Sequence, residues 1–254
     1  MKSEKMNKAP RRYVKKIKEK VRENSRLRRR LLEQLNKSRK LDPIWSLGKL
    51  RYSDYNDILR PAFSTGLLDA IKKIPRRKNR RLRIIEDGAG SGIFSAELKE
   101  KLNEAGIPNE ITALSLTLTP QLKEKHKTGK IDRIVLGPAE FYVLKQEAGV
   151  IISISSSPQY TLYELKKNLL LKFANSLTKG GIFISAFSLG RQIIETRKIN
   201  GKEITLNERL KGIERTMKKR GFEAKFYPTK EFKMTKETKP EEVPPFILVI
   251  KRIR

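Results

Sequence analysis

The stretch best suited to chemistry is "EDGAGSG", in which the acidic residue Glu86 precedes three alternating glycines. Gly88, Gly90 and Gly92 lack a Cβ, so the backbone can adopt positive φ angles and a ligand can approach it closely. An apolar run precedes the stretch and a helix-like segment follows it, and the N-terminus of a helix offers free N–H groups. The pattern predicts either a cofactor-binding loop or a tight strand-to-helix turn.

The spacing of the glycines distinguishes this stretch from two common nucleotide-binding loops. A dinucleotide-binding loop has two residues between its last two glycines, whereas only Ser91 stands between Gly90 and Gly92. The Gly-Lys-Ser/Thr end of a phosphate-binding loop does not occur in the chain. If the stretch binds a cofactor, we expect one of another kind.

The elements that must position this stretch alternate along the chain from residue 82 onwards. Strand-like apolar runs alternate with helix-like segments, which is typical of a parallel sheet with helices on both faces. The last two strands follow each other without a helix between them, which predicts an antiparallel pair at one edge of the sheet. The sequence therefore predicts an α/β fold with a doubly wound, mostly parallel sheet. Its predicted strands are LRIIED, EITALSLTL, DRIVLG, GVIISIS, GGIFISAFS, FEAKFYPT and FILVIKRI, and its predicted helices are 94–105, 120–127, 162–177 and LNERLKGIERTMKKRG.

Over residues 82–254 the sequence resembles the class I S-adenosylmethionine-dependent methyltransferases. "IIEDGAGSGIFSAEL" resembles their first motif, and "LLLKFANSLTKGGIFISAFS" resembles their helix, Lys-Gly-Gly turn and fifth strand. The resemblance implies a seven-stranded sheet of order 3-2-1-4-5-7-6 with an antiparallel last strand. It also implies S-adenosylmethionine as the cofactor, with Glu86 orienting the loop or contacting the cofactor's amino group. The residues that would cradle the methionine part are Gly88, Ala89, Gly90 and Gly92.

Two other parts of the implied cofactor site depart from the family's pattern. The family usually has an acid at the end of the second strand that binds the ribose hydroxyls, and here Ser115 or Thr117 stands in its place. A hydroxyl can still bind a ribose, but without the charge-assisted strength of a carboxylate. After the third strand, many members have an acid that binds the adenine amino group. Here Glu140 lies two residues beyond that position.

The end of the fourth predicted strand carries the candidate catalytic residues. "SPQY", residues 157–160, resembles the Ser/Asn/Asp-Pro-Pro-aromatic motif of amino methyltransferases. The resemblance implies that Ser157 and the adjoining Pro158 hold an exocyclic amine and that Tyr160 stacks on a flipped base. The alternative is a Ser-rich loop in which Pro158 begins the next helix.

The positive charge of the chain indicates a polyanionic partner. The formal net charge is +30, and residues 1–40 alone hold 17 Lys or Arg against 4 Glu. Apolar residues at helical spacing predict a basic helical arm over 1–40, with a solvated, partly disordered tail as the alternative. Residues 41–80 predict a helical extension, with one helix near 63–74, and residues 81–254 the cofactor domain. The predicted nucleic-acid contacts are Arg11, Arg12, Lys15, Lys16, Arg28, Arg29, Arg30, Arg76, Arg77, Lys78, Arg80 and Arg81.

Composition narrows the remaining chemistry. The chain has no cysteine and a single histidine, His126, which excludes thiol chemistry and multi-histidine metal sites, so we expect no metal. No apolar run reaches the length of a membrane span, so we expect a soluble, cytoplasmic protein. The leading hypothesis is a methyltransferase acting on RNA, favoured over DNA, at an exocyclic base amine. The alternatives are a catalytically degenerate RNA-binding or ribosome-associated protein and a small-molecule methyltransferase.

Overall fold

The chain folds around one large β-sheet. The computed structural model describes residues 8–30, 32–33, 36, 50–76, 80–144, 147–154, 156, 163–187, 197–199, 202–204, 206–228 and 246–254. The strands are β1 (Leu82–Asp87), β2 (Asn109–Ser115), β3 (Arg133–Leu136), β4 (Ala148–Ile154), β5 (Leu177–Phe187), β6 (Arg197–Ile199), β7 (Lys202–Ile204), β8 (Phe222–Pro228) and β9 (Phe246–Arg252).

Seven of these strands form the large sheet, in the order β3-β2-β1-β4-β5-β9-β8. Strands β1 to β5 are parallel, and β9 runs antiparallel to both β5 and β8. Counted along the chain, this is the order 3-2-1-4-5-7-6 with an antiparallel last strand, so the predicted fold is confirmed. The carboxyl ends of β1 to β5 meet at one edge of the sheet, here called the carboxyl edge, and their starts form the amino edge.

Helices cover both faces of this sheet. On one face, Tyr55, Leu59 and Phe94 pack with strand residues such as Ile84 and Ile152. On the other face, Leu170 and Phe173 pack with strand residues such as Ile151 and Phe183. All of β4 is buried, as expected for a central strand with helices on both sides. The helices are α1 (Lys8–Glu23), α2 (Tyr52–Leu59), α3 (Leu67–Lys72), α4 (Ile93–Glu104), α5 (Pro120–Lys127), α6 (Tyr163–Asn175) and α7 (Leu206–Lys218).

The basic segment at the start of the chain packs on this sheet domain. Helix α1 lies against α6, and the Arg220 guanidinium donates a hydrogen bond of 2.5 Å to the Tyr13 hydroxyl. Ile17 and Leu27 are buried in a cluster with Val21 and Phe141. Arg220 precedes β8 at the amino edge, and Phe141 follows β3 at the carboxyl edge. Helix α1 therefore runs from the amino edge to the carboxyl edge, with its apolar stripe inward and its basic residues outward.

The structure differs from the sequence-based expectations mainly at element ends. Strand β5 starts at Leu177, so the Lys-Gly-Gly segment expected to be a turn lies inside the strand, opposite a shift in register with β4. Helix α3 covers 67–72 rather than 63–74. The antiparallel pairing of β6 with β7 was not predicted. Among the described residues, no helix combines the length and the apolar character that crossing a membrane requires, and no acidic or histidine cluster suited to a metal ion occurs.

Candidate cofactor site at the carboxyl edge

The glycine loop follows β1 directly and leads into α4. Gly88, Gly90 and Gly92 all have positive φ angles, of 83°, 53° and 71°. The backbone N–H groups of Gly88 and Ala89 both donate to the Leu114 carbonyl near the end of β2, at 3.0 and 2.9 Å. The loop is therefore fastened to the neighbouring strand at its start.

The missing side chains of two of these glycines make room for different neighbours. A Cβ built on Gly88 would lie 2.0 Å from the Ser156 Oγ, so the loop after β4 touches the glycine loop there. A Cβ on Gly92 would lie 2.6 Å from Ile131 Cδ1 and 2.8 Å from Leu122 Cδ1. Gly88 thus allows two loops of the carboxyl edge to meet, and Gly92 allows α4 to start close to α5.

Glu86, the acid of the motif, is buried between two hydroxyl groups, with 2 % of its surface exposed. Its Oε1 accepts a hydrogen bond of 3.1 Å from the Tyr55 hydroxyl, and its Oε2 accepts one of 2.5 Å from the Ser95 hydroxyl. Burial raises the pKa of Glu86 to about 7, the two hydrogen bonds oppose that rise, and the charge of Asp87 adds to it. Glu86 therefore ties β1 to the first turn of α4 and titrates near neutral pH.

Asp87 and Lys172 form a second buried polar group on the opposite face of β1. Asp87 Oδ2 accepts a hydrogen bond of 2.7 Å from the Ser153 hydroxyl on β4. Lys172, on α6, is fully buried and donates through Nζ to the Ala139 carbonyl in the segment after β3. Burial lowers the pKa of Lys172 to about 8, while the charges of Asp87 and Glu140 favour its protonated form. This lysine thus bonds the segment after β3 and interacts by charge with the end of β1.

The titration of Lys172 gives a testable pH dependence of stability. Between pH 8 and 10.5 the unfolded chain holds a proton on this lysine that the folded chain releases, so the free energy of unfolding should rise with pH across that window. Chemical denaturation should show that, across this window, the free energy of unfolding rises by about 1–3 kcal/mol more in the wild type than in Lys172→Met. The exposed Lys167, on the same helix, provides the control Lys167→Met, which should keep the rise. Identical pH profiles of all three proteins would contradict the assignment.

The predicted ribose and adenine contacts lie at the ends of β2 and β3. Ser115 is buried as the last residue of β2, whereas Thr117 is half-buried just beyond it. Glu140 is buried near Lys172. Leu118 and Leu136, which follow β2 and end β3, are 44 % and 53 % exposed. Two exposed leucines thus lie near Thr117 at this edge and offer an apolar surface on which a ring could pack.

The candidate catalytic residues Ser157, Pro158 and Tyr160 lie outside the described residues. Ser156, directly before them, is described and touches the position of the missing Gly88 side chain. The chain therefore leaves β4 beside the glycine loop.

The predicted nucleic-acid contacts separate into two regions. Every described member of that set is exposed, and Arg77 and Lys78 lie outside the described residues. The helical residues 28–30 directly follow Leu27, whose side chain belongs to the cluster with Phe141 at the carboxyl edge. Arg80 and Arg81 precede β1 and so lie at the amino edge, which the length of the six-residue strand β1, about 20 Å, separates from the carboxyl edge. Of the described members, residues 28–30 lie at the carboxyl edge, whereas Arg11 and Arg12 lie near Tyr13, whose partner Arg220 is at the amino edge.

Sequence reasoning missed Tyr55, Ser95 and Lys172. Lys172 had a usable signal, because it is the one charged residue in the apolar run "LLLKFA". Ser95 stands three residues after Gly92, inside the resembling motif, and nothing in its type marks it. Tyr55 could not be assigned to Glu86 from the sequence, because the two residues are 31 positions apart and meet only through packing of α2 on α4.

Comparison with known proteins supports the fold. No family model and no curated protein sequence matches the chain. Among solved structures, an S-adenosylmethionine-dependent methyltransferase from Clostridium acetobutylicum ATCC 824 is similar, with a TM-score of 0.54 and 11 % identity over 84 % of this chain and 98 % of that chain. The plantazolicin methyltransferase BpumL in complex with SAH has a TM-score of 0.53 and 12 % identity over 94 % of this chain and 99 % of its own. The chain thus has the fold of S-adenosylmethionine-dependent methyltransferases, as the sequence resemblance predicted.

Proposed function

We propose that this protein is an S-adenosylmethionine-dependent methyltransferase that acts on RNA. The observation that carries the proposal is the position of the acid-and-glycine loop, at the carboxyl end of β1 in a sheet of order 3-2-1-4-5-7-6. In open α/β sheets, ligands bind outside the carboxyl ends of the strands where the strand order reverses. Here that point lies between β1 and β4, where Gly88 and Ser156 meet.

The residues at this edge fit the cofactor in kind. Gly88, Ala89 and Gly90 give a loop with little side-chain bulk, and Glu86 supplies a buried negative charge toward a cationic amino acid group. Thr117 is a better ribose ligand than Ser115, because Ser115 is buried within the sheet. Glu140 is less suited to the adenine amino group than its sequence position suggests, because it lies buried near Lys172.

The chemistry requires little acid–base catalysis from the protein. When bound, S-adenosylmethionine supplies an electrophilic methyl group. The protein must hold the accepting amine with its lone pair directed at that group, and positioning of this kind lowers the barrier substantially. In this proposal Ser157 and Pro158 hold an exocyclic base amine and Tyr160 stacks on the base.

The choice of RNA is supported by the exposed basic surface. Residues 11–30 present eleven Lys or Arg side chains to solvent on a segment whose apolar residues pack inward. A dense row of cations on a fixed helix suits a phosphate backbone. Its far end reaches the carboxyl edge, where the glycine loop lies.

A catalytically degenerate RNA-binding protein is the second candidate, and one observation favours it. Neither Ser115 nor Thr117 provides the carboxylate that would hold the ribose. Calorimetric titration separates the two functions, because a degenerate protein would not bind S-adenosylmethionine at millimolar concentration while still binding RNA.

The direct test is incubation with cofactor labelled in its methyl group and with total RNA, total DNA, protein and small-metabolite fractions. We expect the label in RNA, and an excess of unlabelled cofactor should suppress it. Label in the metabolite fraction would indicate a small-molecule methyltransferase instead. Cofactor binding without label in any fraction would contradict the choice of substrate but not the cofactor assignment.

A further inference from the structure

The acid before the glycine loop accepts a hydrogen bond from a residue in the extension that precedes the sheet. Tyr55 lies on α2, in the extension before β1, and its hydroxyl donates to Glu86 Oε1 at 3.1 Å. Its ring stacks on Phe94 of α4, with ring centroids 3.8 Å apart and an interplanar angle of 13°. The stack fixes the ring, so the direction of the hydroxyl toward Glu86 is fixed as well.

Few groups can affect the charge of Glu86. Tyr55 reaches it from α2, Ser95 reaches it from α4, and Asp87 is its neighbour on β1. In the sheet, the residues opposite Glu86 are Ala113 on β2 and Ile152 on β4, which carry no charge. Two hydroxyl donors and the Ser95 backbone N–H thus favour the carboxylate, while burial and Asp87 favour the protonated acid.

We propose that Tyr55 is a positioning residue that favours the ionised form of Glu86 beside the glycine loop, so that the loop binds a cationic ligand near neutral pH. The inference rests on the proposed function for the identity of that ligand. S-adenosylmethionine carries a sulfonium and an ammonium group, so its affinity should follow the charge of this buried carboxylate. The N-terminal extension would then take part in cofactor binding.

The test is Tyr55→Phe, which keeps the ring on Phe94 and removes the hydroxyl. Loss of a donor to the carboxylate should move the protonation midpoint of Glu86 upward by about one pH unit. Carboxyl carbon NMR, assigned with Glu86→Gln, measures that midpoint without any cofactor. The affinity for S-adenosylmethionine is then measured by calorimetric titration from pH 6 to 9. The pH at which this affinity increases should be higher in the variant than in the wild type.

The chain offers a close control in Tyr52→Phe. Tyr52 lies on the same helix and also stacks on Phe94, but its hydroxyl accepts a hydrogen bond from the Leu68 backbone N–H rather than contacting Glu86. This variant should leave the midpoint of Glu86 unchanged. In the calorimetric series, the titration of the cofactor's own amino group affects all the proteins equally, so it does not alter the comparison between them. Ser95→Ala, which removes the other donor, should act in the same direction as Tyr55→Phe.

The outcomes separate this inference from the proposed function. An unchanged NMR midpoint in Tyr55→Phe would overturn the inference, whatever the result for Ser95→Ala. A shifted midpoint in a protein that does not bind S-adenosylmethionine would leave the control of Glu86 intact and overturn the cofactor assignment. An equal shift of the midpoint in Tyr52→Phe would also overturn the inference about Tyr55, because the effect would then come from packing on Phe94.

Discussion

Replacing Gly88 with alanine should weaken S-adenosylmethionine binding by about 100-fold or more, which corresponds to ~2.7 kcal/mol. The residue has a φ angle of 83°, and the new Cβ would lie 2.0 Å from Ser156 Oγ and 2.6 Å from Ser156 Cβ. The left-handed backbone with a side chain costs about 1–2 kcal/mol, and the loops after β1 and β4 must also separate. Calorimetric titration measures the loss.

A matched control for this variant is Gly106→Ala. Gly106 also has a positive φ angle, of 65°, but no atom of the described residues lies within 4 Å of the Cβ it would gain. It should keep cofactor affinity while losing some thermal stability. The double variant Gly88→Ala with Ser156→Gly removes the clashing side chain and should recover part of the affinity. Full affinity in Gly88→Ala alone would contradict the placement of the cofactor at this loop.

Neutralising Arg28, Arg29 and Arg30 with glutamine should reduce RNA methylation strongly while leaving cofactor affinity unchanged. The three side chains are exposed and follow Leu27 at the carboxyl edge. Loss of about three phosphate contacts should make the salt dependence shallower: the negative slope of log affinity against log salt should decrease in magnitude by about 2–3. RNA affinity should fall about 10- to 100-fold, measured by filter binding across a salt series.

The control for the arginine variant is the same charge change at Arg76, Arg80 and Arg81, which precede β1 at the amino edge. This variant should lose less methyl transfer than the first one. Equal losses would show that total charge, and not its position, determines binding. Deleting the arm would not give a clean result, because Val14 and Ile17 are buried and their removal would open the sheet domain.

The sequence predicted the sheet well because each of its parts has a local signal. Buried parallel strands are recognisable as apolar runs, and Gly88, Gly90 and Gly92, all with positive φ, mark the turn after β1. Helix α5 has its predicted ends, 120–127, and in the structure Pro120 stands in its first turn while the Thr119 side chain accepts a hydrogen bond from the Leu122 N–H. Ends without such signals, as in β5 and α3, were predicted less well.

The polar interior could not be predicted, because it depends on which residues meet in space. Glu86 was identified from its spacing to the glycines, but its two hydroxyl partners come from different helices. The basic arm shows the same limit. Its amphipathic pattern predicted a helix, whereas its direction along α6 depends on contacts with Phe141 and Arg220.

The contact between Tyr13 and Arg220 has a consequence for the order of folding. The two residues are 207 positions apart, so α1 leaves the ribosome long before the residue that fixes its end has been made. At typical synthesis rates the delay is about 10–40 s. During that time the Tyr13 end of α1 lacks this contact, although α6 and Phe141, against which its apolar stripe packs, are synthesised earlier. Fixing of the Tyr13 end of the first helix is therefore a late step in the folding of this chain.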